Sequence, residues 1–219
     1  MWDFLQTYGP RLFDGALVTS AQFVLAALVA CAAALAAGLG RLSAFWPVRG
    51  LATVYIEIFR GTSLLVQLYW IFFVLPLFGV SLPKFEAGFL SVGLNVGAYG
   101  AEIVRGAIQA VPKGQWEASY ALSMSPAKRM RRIILPQALV LMLPPWGNLM
   151  IELLKGTALV ALISVPDLMF VAKQINGATF RSAEAFGAAL LIYYILARFL
   201  ITPAMRGLER VMARRLGRA

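Results

Sequence analysis

Long uncharged apolar stretches alternate with short clusters of charge along this chain. Gly15 to Gly40 and Gly61 to Pro83 contain no charged residue, and neither does Ile133 to Ile151. A helix needs about 20 mainly apolar residues to cross the hydrocarbon core of a bilayer. On that basis the pattern predicts five spans, at about 17–40, 53–79, 86–109, 134–155 and 184–205. The first is rich in Ala and Gly, which favours close helix contacts. Pro144-Pro145 is expected to disrupt the fourth. Apolar character continues past it to about Val171, broken by Glu152, Lys155, Pro166 and Asp167. That is too long for one span and too short for two, so a short second helix or a re-entrant turn is expected. Ser164 is read as its cap, with Pro166 and Asp167 in its first turn. No soluble domain, low-complexity segment or repeat interrupts the pattern, so residues 1–219 read as one all-α transmembrane domain.

Composition agrees with this reading. Of 219 residues, 60% are hydrophobic and 14% charged, against about 45–50% and about 25% in soluble domains. Twenty basic and ten acidic residues leave a net charge of +10, which in a soluble chain would suggest nucleic acid. Here its distribution points elsewhere, and no nucleic-acid partner is expected. Twelve basic residues fall in 41–50, 110–132 and the tail from Arg206 to Arg218; the alternate side holds only Arg11, Lys84, Lys173 and Arg181. Positive charge marks the cytoplasmic side. The expected topology is therefore N-terminus out, C-terminus in, with 111–132 as a cytoplasmic loop. The chain has no histidine, Cys31 is its single cysteine, and no P-loop motif occurs. His-based catalysis, a metal site, an intrachain disulfide and an ATPase site of its own are not expected. Met1 to Pro10 lacks the basic start of a cleaved signal peptide.

The central loop holds a candidate helix between Pro112 and Pro126. Trp116, Tyr120 and Met124 recur at i, i+4, i+8, which places them on one face of about three helical turns. Ala118, Ala121 and Leu122 widen that face. So short a helix is not stable alone. Its face either docks in the groove of a partner or lies on the membrane surface or the chain's own spans.

The residues here carry a family resemblance. Glu117-Ala118-Ser119, Ala121-Leu122-Ser123-Met124-Ser125 and Ile134-Leu135-Pro136-Gln137-Ala138 resemble the EAA loop of ATP-binding-cassette importer permeases. Glu57-Ile58-Phe59-Arg60-Gly61-Thr62, Gly97-Ala98-Tyr99-Gly100-Ala101-Glu102 and Leu153-Leu154-Lys155-Gly156-Thr157 resemble spans of the polar amino-acid permease subfamily, and the likeness runs from about residue 12 to about 208. The resemblance implies the MetI-like type I importer permease fold in a bacterial cytoplasmic (inner) membrane. It implies a second permease subunit, identical or similar, and cytoplasmic ATP-binding subunits that carry ATP and Mg. An extracytoplasmic binding protein would deliver a small zwitterionic solute, either a polar amino acid or an ectoine-type compatible solute. Trp116, Glu117, Ala118, Tyr120, Ala121, Ser123 and Met124 would form the contact with the ATPase. Two departures stand out. Ser123 replaces the family's usual glycine, a residue suited to positive φ. Gly156 stands where an acid often follows the lysine, while Glu152 supplies an acid one turn earlier.

Three acid–base pairs at i, i+3 share helix faces: Glu57/Arg60, Glu102/Arg105 and Glu152/Lys155. The first two, and Arg198, are read as anchors near cytoplasmic span ends. Glu152 and Lys155 are expected in the outer part of the fourth span, and ionisable groups at membrane depth usually face a cavity or a partner. With Asn148 one turn earlier, they are candidates for the solute path; the alternatives are a self-satisfied pair near the outer interface or a contact between subunits. Trp146 is expected to be buried. The alternative class is an ATPase-independent secondary transporter or channel, which would usually bring more spans or an inverted repeat.

Overall fold

The computed structural model describes residues 2–215; Arg218, counted above in the basic tail, lies outside them. Its helices are α1 (Trp2–Arg41), α2 (Trp46–Gly61), α3 (Leu64–Tyr69), α4 (Lys84–Gln109), α5 (Lys113–Ala121), α6 (Pro126–Arg129), α7 (Leu135–Thr157), α8 (Leu168–Thr179), α9 (Ser182–Ile195) and α10 (Thr202–Arg215). Among the described residues there is no strand. Single π-helical segments extend α3 (Trp70–Val74) and join α6 to α7 (Met130–Ile134) and α9 to α10 (Leu196–Ile201). Four stretches are long and apolar enough to cross a membrane: Asp3–Arg41, Lys84–Gln109, Pro126–Ile163 and Ser182–Met212.

The second expected span is not one helix. Over 53–79 the chain forms Trp46–Gly61 and Leu64–Phe78, bent by 108° at the break. Thr62 and Ser63 adopt extended backbone there. A helix end in an apolar setting leaves carbonyls without donors. Two amide side chains supply them. Gln67 Nε2 donates to Phe59 O (2.9 Å) and Thr62 Oγ1 (2.7 Å), and Asn95 Nδ2 donates to Phe59 O and Gln67 Oε1 (3.0 Å each). Both amides are buried. The break is thus pinned to the middle of α4.

The parallel pair α1–α4 is the frame. A Cβ added to Gly93 would lie 2.7 Å from Val29 Cβ, and one on Gly97 would lie 2.8 Å from Ala33 Cβ. The backbones can approach this closely only because α4 presents glycine to the small residues of α1. Gly100 does the same for Trp146 of α7, whose ring would meet an added Cβ at 2.7 Å. Trp146, expected to be buried, is half-buried in this wedge.

At forty residues, α1 is about 60 Å long, twice the hydrocarbon thickness of about 30 Å. Its first turns extend beyond the frame, where Phe4 and Leu12 pack with Leu168, Ile175 and Ala185 of α8 and α9. Asp167 is the N-cap of α8: its Oδ1 accepts from Phe170 N (2.9 Å), and its Oδ2 accepts from Tyr193 Oη (3.2 Å). Ser164 is not the cap; it sits in the left-handed region at φ 60 and closes the 3₁₀ segment Ala158–Ile163. The helix starts at Leu168, so Pro166 and Asp167 precede its first turn. Pro144 and Pro145 do not break α7 either. Both rings are exposed, so the lost N–H donors cost carbonyl bonds without displacing core contacts.

At the other end, Arg41 Nη1 donates to Glu102 Oε1, and Arg105 Nη2 donates to Glu102 Oε2 (2.8 Å). Glu57 faces Arg41 at 3.9 Å rather than Arg60, and Arg60 lies over the Tyr99 ring at 5.3 Å. The expected Glu57/Arg60 pair is therefore replaced by contacts between helices, which a spacing rule within one helix does not see.

Two outcomes follow for stability. Gly93→Leu overpacks the α1–α4 seam and is expected to cost about 1–3 kcal/mol or more. It should lower the melting temperature in detergent, whereas Gly50→Leu, with nothing within 4 Å of an added Cβ, should not. Burial raises the Asp167 carboxyl to about 6 against the opposing pull of the Phe170 and Met169 N–H groups and Tyr193. A folded-state value above the unfolded one (3.8) gives stability that is full below the lower value and lost as pH rises through the upper. Docking of α8 should therefore weaken from pH 4 to about 6, and Asp167→Asn should flatten that slope in pH-dependent thermal unfolding.

Candidate coupling loop and solute path

Helix α5 begins after Pro112, whose carbonyl accepts from Gln115 N (2.9 Å). It ends in two bonds: Ser123 N donates to Tyr120 O (2.8 Å) and Met124 N donates to Ser119 O (3.1 Å). This is a Schellman closure, whose left-handed position glycine usually fills. Ser123 fills it here at φ 49. The chain leaves the helix at this turn, so Met124 does not continue the face of Trp116 and Tyr120. The expected three-residue face is thereby corrected to two residues pointing into different surroundings.

Trp116 is half-buried and packs with Met130, Ile133 and Ile134 of the same chain. Ser119 is fully buried, its hydroxyl donating to Trp116 O (2.6 Å). Glu117, Ala118, Tyr120, Ala121 and Ser123 are exposed, and Met124 is half-buried. Leu122, 73% exposed, is the most outward large apolar side chain of the loop. Two tethers were not legible in the spacing. Gln137 Nε2 donates to Gln115 Oε1 (3.2 Å), joining α7 to α5, and Arg129 lies 3.6 Å from the centre of the Tyr120 ring.

The opposite end of α7 carries the other candidates. Asn148, Glu152 and Lys155 are exposed along one stripe of that helix. Lys155 Nζ donates to Glu152 Oε1 at 2.7 Å, with both side chains 64% exposed. The pair is self-satisfied and also open to a third group. Leu64, first residue after the 62–63 break, lies 3.3 Å from the position of a Cβ added to Gly156. Arg60, Gly61, Thr62 and Ser63 are exposed at that break. On the other flank a cavity of about 480 Å³ is lined by Ile151, Leu154, Lys155, Tyr193, Tyr194 and Arg198. Arg198 therefore sits beside the last turns of α7, not near the end where α5 lies, as its anchor reading required. The last helical rod runs on through α10 to Arg215, past the expected end at 205, so residue 198 falls higher in the bundle. Among the described residues no cluster of three or more His, Cys, Asp or Glu could hold a metal.

A bundle of membrane-crossing helices with a tethered surface helix at one end, and a charged stripe along its central rod, is the architecture of a membrane transport component. The chain belongs to the family described as binding-protein-dependent transport system inner membrane component, which it matches over residues 23–214. It is 44% identical over 201 residues to a probable amino-acid ABC transporter permease protein, y4tF, of Sinorhizobium fredii, covering 89% of this chain and 84% of that protein. It is 38% identical to the L-cystine transport system permease protein TcyB of Bacillus subtilis (99% and 92% covered) and 35% identical to the glutamine transport system permease protein GlnP of Escherichia coli (96% and 97% covered). In fold it is similar to a crystal structure of an amino acid ABC transporter with histidines, with TM-score 0.86 and 36% identity over 94% of this chain and 96% of that one. An inward-facing MetNI methionine ABC transporter shares the fold at TM-score 0.80 and 21% identity, over 94% and 98%. The chain is thus a permease component of the inner membrane with the MetI-like fold.

Proposed function

We propose that this chain is one of two permease subunits of an ATP-driven importer for a polar amino acid. The observation that carries the reading is that α7 joins the two candidate sites. At one end it holds α5 through Gln137–Gln115, and at the other it exposes the Glu152–Lys155 pair. Movement of the loop helix therefore reaches the charged stripe through a single rod. The named relatives favour an amino acid over the ectoine-type solute, and a binding-protein-dependent family does not favour a self-sufficient carrier.

In this reading the N-terminus is outside, and residues 111–132 and the C-terminus are cytoplasmic. Two cytoplasmic ATP-binding subunits hydrolyse ATP with Mg; this chain has no ATPase site. Glu117 and Leu122 face the ATPase groove, Ala118 and Ala121 permit close approach, and Tyr120 offers its edge. Trp116 supports the helix from beneath. Glu152 and Lys155, opposite in charge and 2.7 Å apart, exchange their mutual bond for the amino and carboxylate groups of the solute, and Asn148 lines the same stripe. The second permease subunit covers this face, which accounts for charge exposed at membrane depth.

Proteoliposomes containing both permease positions, the ATP-binding subunits and the cognate binding protein test the reading. ATP-dependent uptake of labelled L-cystine, L-glutamine or L-arginine is expected; uptake without ATP would favour the carrier class. Glu117→Lys should assemble and lose uptake per ATP by roughly tenfold, as for a reversed charge at an interface; unchanged coupling would sink the loop assignment. Glu152→Gln should alter the rate or selectivity among the three solutes; an unchanged profile would leave the ion pair a purely structural feature.

A further inference from the structure

We infer that Arg129 is a positioning residue for coupling: it braces the left-handed turn at Ser123 and carries movement of α5 into α7. The inference rests on the coupling reading of residues 111–132. Its starting point is the backbone. Ser123 adopts φ 49 at the position where a Schellman closure favours glycine. Serine carries a Cβ that strains this conformation, so the turn is biased to open unless something holds both of its sides.

Arg129 holds both. Its guanidinium lies 3.6 Å from the centre of the Tyr120 ring, on the helix side of the turn. Its Nη2 donates to Met124 O at 3.1 Å, on the exit side. Ser123 is thus spanned by one planar group. Arg129 is only 8% exposed, and Nε has no hydrogen-bond partner. No carboxylate pairs with Arg129 among the described ion pairs. Burying an unpaired cation is costly, so this side chain is held where simple stability would not put it. The face of the Tyr120 ring and the Met124 carbonyl are the compensation present.

The mechanical consequence follows from where Arg129 stands. It closes α6, and the π segment Met130–Ile134 runs directly from it into α7. A push on the exposed Tyr120 side of α5 is borne by the guanidinium and passed to the backbone of that rod. Lysine cannot replace it, because an ammonium lacks the planar face and fork that stack and donate together.

The test uses the complete transporter in vesicles, with labelled L-cystine, L-glutamine and L-arginine as probes. Solute uptake and phosphate release are measured together and expressed as a ratio. Arg129→Ala and Arg129→Lys are expected to lower that ratio roughly fivefold, the scale of a lost αL-compatible turn. Ser123→Gly, which removes the strain, should restore the ratio in the Arg129→Ala background to within about twofold of wild type. A merely structural arginine would not be rescued by a glycine six residues away, so failure of rescue overturns the inference. An unchanged ratio in Arg129→Ala overturns it as well. Size-exclusion profiles identify variants that do not assemble; if Arg129→Ala fails to assemble and the double variant also fails, the turn is not what Arg129 serves. If Glu117→Lys also leaves the ratio intact, the coupling reading itself fails. If Glu117→Lys uncouples and Arg129→Ala does not, only the role of Arg129 is lost.

Discussion

In the hydrocarbon of a membrane a backbone N–H or C=O has no water to bond, so each must find a partner within the protein. The architecture follows from that constraint. Long helices satisfy it internally, and the abrupt break at Thr62–Ser63 occurs where Gln67 and Asn95 deliver donors to the carbonyls of Phe59 and Thr62. The 108° bend is tolerable only with those amides in place. It opens a short exposed backbone segment beside the charged stripe of α7. The same buried Asn95 lies on α4, whose glycines set the distance to α1, so frame and break are one construction.

The two ends of the bundle solve different problems. Around α8, a buried carboxylate caps a helix and receives the Tyr193 hydroxyl, tying α8 to α9. Around α5, guanidinium groups do the tying: Arg41 and Arg105 on Glu102, Arg129 on Tyr120. Between them α7 runs unbroken through two prolines. A rod that keeps its length through such residues suits the link between loop helix and charged stripe that the proposed function requires.

Much of this was legible in the chain. Hydropathy reports the cost of placing each side chain in lipid, and such costs add along a helix, so the long apolar helices stand out without any knowledge of neighbours. The ordered motifs around Glu117 and Pro136 pointed to the loop and family, and the glycine-to-serine departure at 123 marked the turn that proves left-handed. What failed did so for identifiable reasons. The face of Trp116, Tyr120 and Met124 assumed one continuous helix, and the Schellman closure ends it. The Glu57/Arg60 pair assumed partners within a helix, and Arg41 and Tyr99 compete from other helices. Arg198 was placed by counting to an assumed span end, and the rod is longer.

The sequence by itself therefore determined which segments are helical and apolar, where the charge clusters lie, and the family to which they belong, because each depends on residues near one another in the chain. Only the tertiary structure decided the bend in the second span and the opening of the Glu152–Lys155 stripe beside Arg198. It also decided the seating of Arg129 against Tyr120. Those features depend on which side chains meet across helices, and periodicity within one helix carries no information about the helix that will lie against it.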